Sequence, residues 1–434
     1  MMKYFSTNNH SPKADFKEAT LKGQAPDKGL YFPEKIPSLP EDFFTNITSY
    51  SKEEIAYHVI QPYVDDTIPE TELKRIIKET IYFDFPLIKV NHDIFSLELY
   101  HGPTLAFKDV GARFMSRCLS YFVNNENKKI TVLVATSGDT GGAVASGFFD
   151  VEGIDVVILY PTGKVSSVQE LQLTTYGKNI AALEINGNFD DCQSLVKQAF
   201  ADAELNEQLF LTSANSINVA RWLPQQFYYF FAYQQWQDKF NPPVFSVPSG
   251  NFGNICAGLL AHRSGLPVSH FIAACNANKI FPEFMKTGDY IPKKAVATLS
   301  NAMDVGNPSN FVRILELFNK EFSVLQDVLT SYSISDDTTT ETLKEVYNSN
   351  GYLVDPHGAV AYAGLKQYLI NHPSDKGIFL ETAHPVKFYD VVEPIINEKV
   401  LIPSAVQALL GKEKISIRMD TDYDTFKNYL LMKA

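Results

Sequence analysis

Cysteine is scarce in this chain of 434 residues: there are four, at Cys118, Cys192, Cys256 and Cys275. They are widely spaced and form no CxxC pair, which argues against both a zinc site and a disulfide framework. Each reads as a small buried hydrophobe in a reducing compartment. Basic clusters are missing too. The formal net charge is −12, and no segment gathers Lys or Arg into a stripe. Nucleic acid and anionic membrane surfaces both need clustered cations, so neither is expected as a partner. No apolar run approaches the roughly 20 residues of a membrane span. The N-terminus (MMKYFSTNNHSPKADF) lacks the apolar core of a secretory signal and does not read as an Arg-rich transit peptide. Residence in the cytoplasm is expected.

What is present is the material of a folded body. Hydrophobic residues make up 45 % and aromatics 13 %, with 31 Phe and 22 Tyr but 2 Trp. Disordered chains are poor in such residues. The length exceeds the usual size of a single core, so two principal lobes are expected. Residues 1–90 are rich in proline, charge and short polar clusters. Within them Ile55, Val59 and Ile60 form one apolar helical stripe and Leu73, Ile76 and Ile77 another. From about residue 95 apolar strands alternate with helices. Strands are expected at 130–135, 154–160, 180–185, 244–247, 271–274 and 378–380. Helices are expected at 109–122, 141–149, 193–203, 219–239 and 254–264. This alternation is the mark of parallel α/β sheets, whose ligands sit at the C-terminal strand ends.

Several motifs occupy such positions. His101-Gly-Pro-Thr-Leu-Ala-Phe-Lys-Asp places Lys108 at the start of a helix. A lysine there is either a solvated helix-start residue or, when burial and nearby cations disfavour its ammonium form, a nucleophile able to form a Schiff base. Thr136-Ser-Gly-Asp-Thr-Gly-Gly-Ala follows the 130–135 strand directly. Its hydroxyls and exposed backbone NH groups suit a carboxylate, although a capped βα turn has the same composition. Pro248-Ser-Gly-Asn-Phe-Gly-Asn leads into a helix and is either a phosphate cradle or a plain turn. It is neither a dinucleotide fingerprint nor a Walker motif. Glu381-Thr-Ala-His-Pro-Val-Lys-Phe follows the 378–380 strand; its threonine could bond a neutral ring nitrogen, and His384, ahead of a proline, reads as a turn histidine.

Together these segments resemble the threonine synthase family, within the fold type II (tryptophan-synthase-β-like) enzymes that use pyridoxal 5′-phosphate. HGPTLAFKD, TSGDTGGA, SGNFGN, SNAMDVGNPSN (300–310), DPHGAVA (355–361) and ETAHPVKF occur in the order that family uses. The resemblance spans nearly the whole chain, including SANSIN at 213–218. It implies a two-lobed α/β enzyme: a mainly helical N-terminal unit (1–95), a small lobe carrying the Schiff-base lysine near its start (96–225) and a large lobe with the phosphate loop and a C-terminal extension (226–434).

The resemblance implies roles residue by residue. Lys108 would bond the cofactor. Gly250, Asn251, Phe252, Gly253 and Asn254 would cradle its phosphate, and Thr382 would contact its pyridine nitrogen. Asp139 stands where related enzymes place an asparagine beside the ring hydroxyl. Ser137 and Thr140 would hold the substrate carboxylate. Lys164 and Ser166, with Asn215, Ser216 and Arg221, are the candidates for the substrate phosphate, against the reading of Lys164 as an ordinary loop lysine. The implied substrate is O-phospho-L-homoserine, and the implied reaction replaces its phosphate with water to give L-threonine, with the Lys108 amine as general base. No metal is implied, and the assembly would be a monomer or a homodimer. Serine or threonine dehydratases and cysteine synthases of the same fold carry a TSGNTG-type motif in place of SGDTGG. A phospholyase ending in a 2-oxo acid is the nearest alternative, and a non-catalytic cofactor-binding module sits poorly with an intact lysine and phosphate loop.

Overall fold

Every side chain of the run Ile130–Ala135 is buried, as in a strand covered on both faces. The computed structural model describes residues 1–124 and 129–433. In it this strand lies in a five-stranded parallel sheet between Ile154–Pro161 and Phe210–Ser213, with Ile180–Ile185 and Ile417–Met419 beyond Ile154–Pro161. A second sheet of six strands runs Leu329–Ser333, His270–Cys275, Val244–Pro248, Gly377–Glu381, Ile94–Glu98, Leu87–Lys89. All its pairings are parallel except the last. Helices join the parallel strands, as crossovers of this kind require. The fold is the expected α/β architecture of two sheets flanked by helices.

Sheet membership does not follow the expected divisions at 95/96 and 225/226. Ile94–Glu98 pairs with Gly377–Glu381, and Ile417–Met419 pairs with Ile180–Ile185. Strand partners can come from any distance along the chain, and a single sequence carries no signal of which pairs form. Phe210–Ser213, Leu329–Ser333 and Ile417–Met419 are strands that the sequence pattern does not mark. They are 4, 5 and 3 residues long with exposed or polar positions, too short and mixed for a period to show.

Helix boundaries also move for identifiable reasons. The expected helix 219–239 is Val219–Trp222, a 3₁₀ turn Leu223–Gln226, and Phe227–Gln235. Pro224 has no NH to give to an α-helical ladder, and the tighter turn absorbs it. The expected helix 193–203 begins earlier, at Phe189, because the Asn188 side chain accepts from the NH groups of Asp190 and Asp191 and caps it. All four cysteines are free and buried. No helix among the described residues is long and apolar enough to cross a membrane.

The N-terminal unit is mainly helical, with Lys52–Val64 and Glu70–Thr80 burying the two expected stripes. It also holds an antiparallel strand pair, Tyr4–Ser6 with Tyr31–Pro33. It packs onto the helix Lys108–Asn124: the Phe16 ring lies 6.5 Å from that of Phe114 and 6.3 Å from that of Phe122. Phe16 and Phe114 are fully buried. Truncating Phe114 to alanine leaves a cavity at this junction, so Phe114→Ala is expected to lower stability by about 3–5 kcal/mol, read from denaturant midpoints.

Candidate active site

Neighbouring strands of the six-stranded sheet, Val244–Pro248, Gly377–Glu381 and Ile94–Glu98, run parallel side by side. Their C-terminal ends lead into residues 249–254, into Thr382, and into the loop 99–107 that ends at Lys108. In the five-stranded sheet Ile154–Pro161, Ile130–Ala135 and Phe210–Ser213 are likewise adjacent. They lead into residues 162–166, 136–142 and 214–218. The motifs around Lys108, Asp139, residues 250–254 and Thr382 therefore leave the C-terminal ends of these strands, where open α/β sheets bind ligands, whereas residues 300–310 and 355–361 come after helices. Hydrogen bonds tie the loops together: Phe107 N donates to Thr382 O at 2.9 Å, and Asn251 Nδ2 to Ser216 Oγ at 2.8 Å.

The turn ahead of Lys108 is built around Asp109. Its buried carboxyl accepts from Thr104 N at 2.9 Å and Thr104 Oγ1 at 2.5 Å. Gly102 is required there, because a Cβ would come within 2.5 Å of Asp109 Oδ2. The buried Tyr228 hydroxyl donates to Phe107 O and fixes the last residue before the lysine. Lys108 itself opens the helix Lys108–Asn124. It is half-buried, enclosed on most sides but reachable by water. Its amine makes no hydrogen bond or ion pair among the described residues; the Phe107 ring stands 5.7 Å away. Burial lowers the pKa of this amine, Asp139 opposes that, and the charges of Lys387 and Arg221 reinforce it. An unpartnered amine with a lowered pKa is the nucleophile that Schiff-base chemistry needs.

Asp139 is held from two sides. Lys387 Nζ, wholly buried, lies 2.7 Å from Asp139 Oδ1 and donates to Thr104 O at 2.9 Å. Gln169 Nε2 donates to the same Oδ1 at 2.8 Å. Burial pushes Asp139 toward its neutral form, but the charges of Lys387 and Lys108 and the two hydrogen bonds outweigh it and hold the carboxyl well below the usual range. Gln169 is placed by Ser166, with which it forms a capping box at the start of Ser167–Thr174. The Ser166 hydroxyl is thus engaged as a helix cap, and Lys164 stands exposed on the turn before it.

The loop 250–254 has the shape of a cradle. Gly250 presses on the backbone of Met303, where a Cβ would come within 2.5 Å of Met303 Cα. Phe252 adopts the left-handed region at φ 61°, and the helix Gly253–Arg263 begins with no side-chain cap, leaving its first NH groups for a ligand. Ser216 Oγ accepts from Asn251 Nδ2 and, at 3.0 Å, from Asn310 Nδ2, so Ser216 belongs to the wall of this cradle. Asn254 Oδ1 accepts from Tyr229 OH at 2.9 Å, while its buried Nδ2 has no partner. Such an orphaned donor beside open helix NH groups fits an anionic ester group.

The remaining candidates divide. Ser137 and Thr140 are half-buried, and neither hydroxyl has a partner among the described residues; Thr136 Oγ1 shapes their loop by accepting from Gly138 N at 3.0 Å and Gly141 N at 2.9 Å. Asn215 Nδ2 donates to Ala135 O at 3.2 Å. Arg221 is buried beneath the lysine helix, where Nη1 donates to Ala214 O at 2.8 Å and Nε lacks a partner. His384 Nδ1 accepts from Val386 N at 3.1 Å, and burial lowers its pKa to about 4, so it is the neutral turn histidine expected. Lys387 and Gln169 are the site residues that sequence reasoning assigned no role. The Ser-x-x-Gln spacing at 166–169 could have flagged Gln169; nothing in the sequence marks the partner of Lys387.

Comparison with known proteins identifies the family. A family model described as pyridoxal-phosphate dependent enzyme matches residues 75–379; models for the N terminus and the C-terminal part of threonine synthase match residues 3–81 and 358–430. A threonine synthase from Haemophilus influenzae is 44 % identical over 99 % of this chain and 100 % of its own. The chain belongs to the threonine synthase family. The crystal structure of the threonine synthase from Escherichia coli superposes with a TM-score of 0.93 at 40 % identity, covering 100 % of both chains. The PLP-bound threonine synthase from Brucella melitensis gives 0.93 at 33 % identity, covering 100 % of this chain and 99 % of its own. The cofactor of this threonine synthase family member is pyridoxal phosphate.

Lys387 and Asp139 act on Lys108 with opposite sign. Asp139→Asn removes a charge that favours the ammonium, so the Lys108 pKa falls further. Lys387→Met removes a cation and leaves Asp139 unpaired, so that pKa rises, and breaking the buried pair costs about 3–5 kcal/mol of stability. The pH dependence of Lys108 acylation in cofactor-free protein, followed by peptide mass spectrometry, is expected to shift down for the first variant and up for the second.

Proposed function

We propose that this protein converts O-phospho-L-homoserine and water to L-threonine and phosphate, with pyridoxal phosphate carried on Lys108. The observation that carries the reading is the unpartnered Lys108 amine, on a loop hydrogen-bonded to Thr382 O and on the strand array that also delivers the cradle at 250–254. Bound there, pyridoxal phosphate supplies the aldehyde and the electron-accepting ring that acidify the hydrogens of an attached amino acid.

The protein's own groups do the rest. Gly250, Asn251, Phe252, Gly253 and Asn254 hold the cofactor phosphate. The Thr382 hydroxyl would meet the ring nitrogen, and Asp139, kept anionic by Lys387, would serve the ring hydroxyl. A hydroxyl rather than a carboxylate at the nitrogen leaves that nitrogen less protonated and tempers its pull on electrons. Ser137, Thr140 and the NH groups around them bind the substrate carboxylate. The Lys108 amine, its pKa lowered by burial, takes the Cα proton as general base. Lys164 and Ser166 at the rim, with Asn215, form the pole for the phosphate that leaves; Ser216 is taken up by the cradle wall and Arg221 lies beneath the lysine helix. Closure of the small lobe over the large one excludes water until it is needed at Cβ. The enzyme works in the cytoplasm on a small phosphorylated amino acid, without nucleic-acid or membrane partners, as a monomer or homodimer.

Lys108→Ala is expected to abolish both the visible absorption of the bound cofactor and turnover. Purified protein given O-phospho-L-homoserine is expected to release phosphate and threonine in equal amounts. Phosphate with 2-oxobutyrate in place of threonine would indicate a phospholyase. No phosphate release would end the functional reading.

A further inference from the structure

The cradle at 250–254 is walled by neutral groups, yet a cation stands behind it. Arg313, in the helix Phe311–Leu317, is fully buried. Its guanidinium makes five hydrogen bonds: to Tyr31 O from Nε at 3.3 Å and Nη2 at 3.0 Å, to Ser216 O at 3.0 Å, to Asn310 Oδ1 at 2.8 Å, and to Ile217 O at 2.6 Å. Every acceptor is neutral. The Trp222 ring covers it at 4.4 Å, and among the described residues no carboxylate pairs with it. Burial lowers its pKa to about 10, with Cys256 and Tyr4 as its electrostatic neighbours, so the group stays protonated at neutral pH. Carbonyl dipoles solvate such a cation but do not cancel its charge, and an unpaired buried charge is costly until an anion arrives.

The position of that charge says which anion. Two of the residues it touches, Ser216 through its carbonyl and Asn310 through its side chain, are those that hold Asn251: Asn310 Nδ2 donates to Ser216 Oγ at 3.0 Å and to Asn251 O at 3.1 Å, and Asn251 Nδ2 donates to Ser216 Oγ at 2.8 Å. The helix whose open N-terminus completes the cradle contributes only a partial charge. We propose that Arg313 is the counter-charge and positioning residue of the phosphate cradle, pinning Asn310 and Ser216 against Asn251 and favouring a phosphate ester there over an uncharged group. The inference rests on assigning residues 250–254 to the cofactor phosphate. It also gives the N-terminal unit a part in holding the cofactor, since the Tyr31 carbonyl, on the strand Tyr31–Pro33, orients the guanidinium.

The test uses full-length protein stripped of cofactor. Dissociation constants for pyridoxal phosphate and for pyridoxal, read from visible absorption on Lys108, isolate the contribution of the phosphate. Arg313→Gln keeps a hydrogen-bonding side chain and removes the charge; it is expected to reduce the preference for pyridoxal phosphate by about tenfold to a hundredfold and to leave pyridoxal binding within about twofold. Arg313→Lys is expected to keep most of the preference. A preference unchanged in Arg313→Gln overturns the proposal, and so does an equal loss for both ligands, which is the sign of a merely structural role. Asn251→Ala is the control on the cradle: if it too leaves the preference intact, the cradle assignment has failed, whereas a preference lost there and kept in Arg313→Gln defeats the arginine alone. Should Arg313→Gln not fold, Arg313→Lys decides, retention of the preference supporting the charge and its loss overturning it. In wild-type apoprotein, inorganic phosphate is expected to raise the thermal midpoint; no rise overturns the counter-charge.

Discussion

The buried pair Lys387–Asp139 is the interaction around which the cleft is organised. Lys387 follows a strand of the six-stranded sheet and Asp139 a strand of the five-stranded sheet, and they meet at 2.7 Å with both side chains out of water. A surface pair such as Lys74–Glu70 contributes little, because water and salt screen it. Here neither partner can fall back on solvent, so losing one strands the other. The pair also carries further bonds, to the Thr104 carbonyl ahead of Lys108 and to Gln169 in the helix Ser167–Thr174. It therefore fixes the two halves of the cleft relative to one another and sets the charge around the lysine.

Behind the cleft, polar groups without counter-charges are held by backbone and by close glycine contacts. Glu381, at the end of the strand that leads to Thr382, accepts from Asp355 N at 2.6 Å, and burial together with Asp355 pushes its carboxyl well above the ordinary value. Its other oxygen fills the space where Gly358 would carry a Cβ. Asp355 in turn bonds His357, whose Nε2 accepts from Ala302 N at 3.2 Å, and the next residue, Met303, packs on Gly250. The strand leading to Thr382 and the loop 250–254 are thus joined by a continuous set of contacts.

How much of this was legible in the sequence depended on range. Ile130–Ala135 and Ile180–Ile185 could be bounded from their apolar runs alone, and the start of the lysine helix to within a residue, because strand and helix periods are properties of adjacent residues. The motifs around Lys108, Asp139, residues 250–254 and Thr382 stood out because their glycines, hydroxyls and asparagines cluster at strand ends. Gln169 was half visible through its capping box with Ser166. Lys387 and Arg313 were not visible at all: each is an ordinary basic residue in sequence, and each acquires its meaning from a partner hundreds of positions away, Asp139 for the one and Tyr31 for the other.

The sequence by itself therefore determined the fold class and the cofactor class, since local pattern and ordered motifs are enough for these. Only the tertiary structure decided which sheet each strand joins, that Ser216 walls the loop 250–254, that Arg221 lies under the lysine helix, and that Lys387 pairs with Asp139. The physical reason is that a buried charge is defined by what surrounds it, and packing assembles that surrounding from segments the chain keeps far apart. Lys108 shows both sides: its helix and turn are local, but the lowered pKa of its amine comes from burial and from the charges of Lys387 and Arg221, working against Asp139, all on other segments.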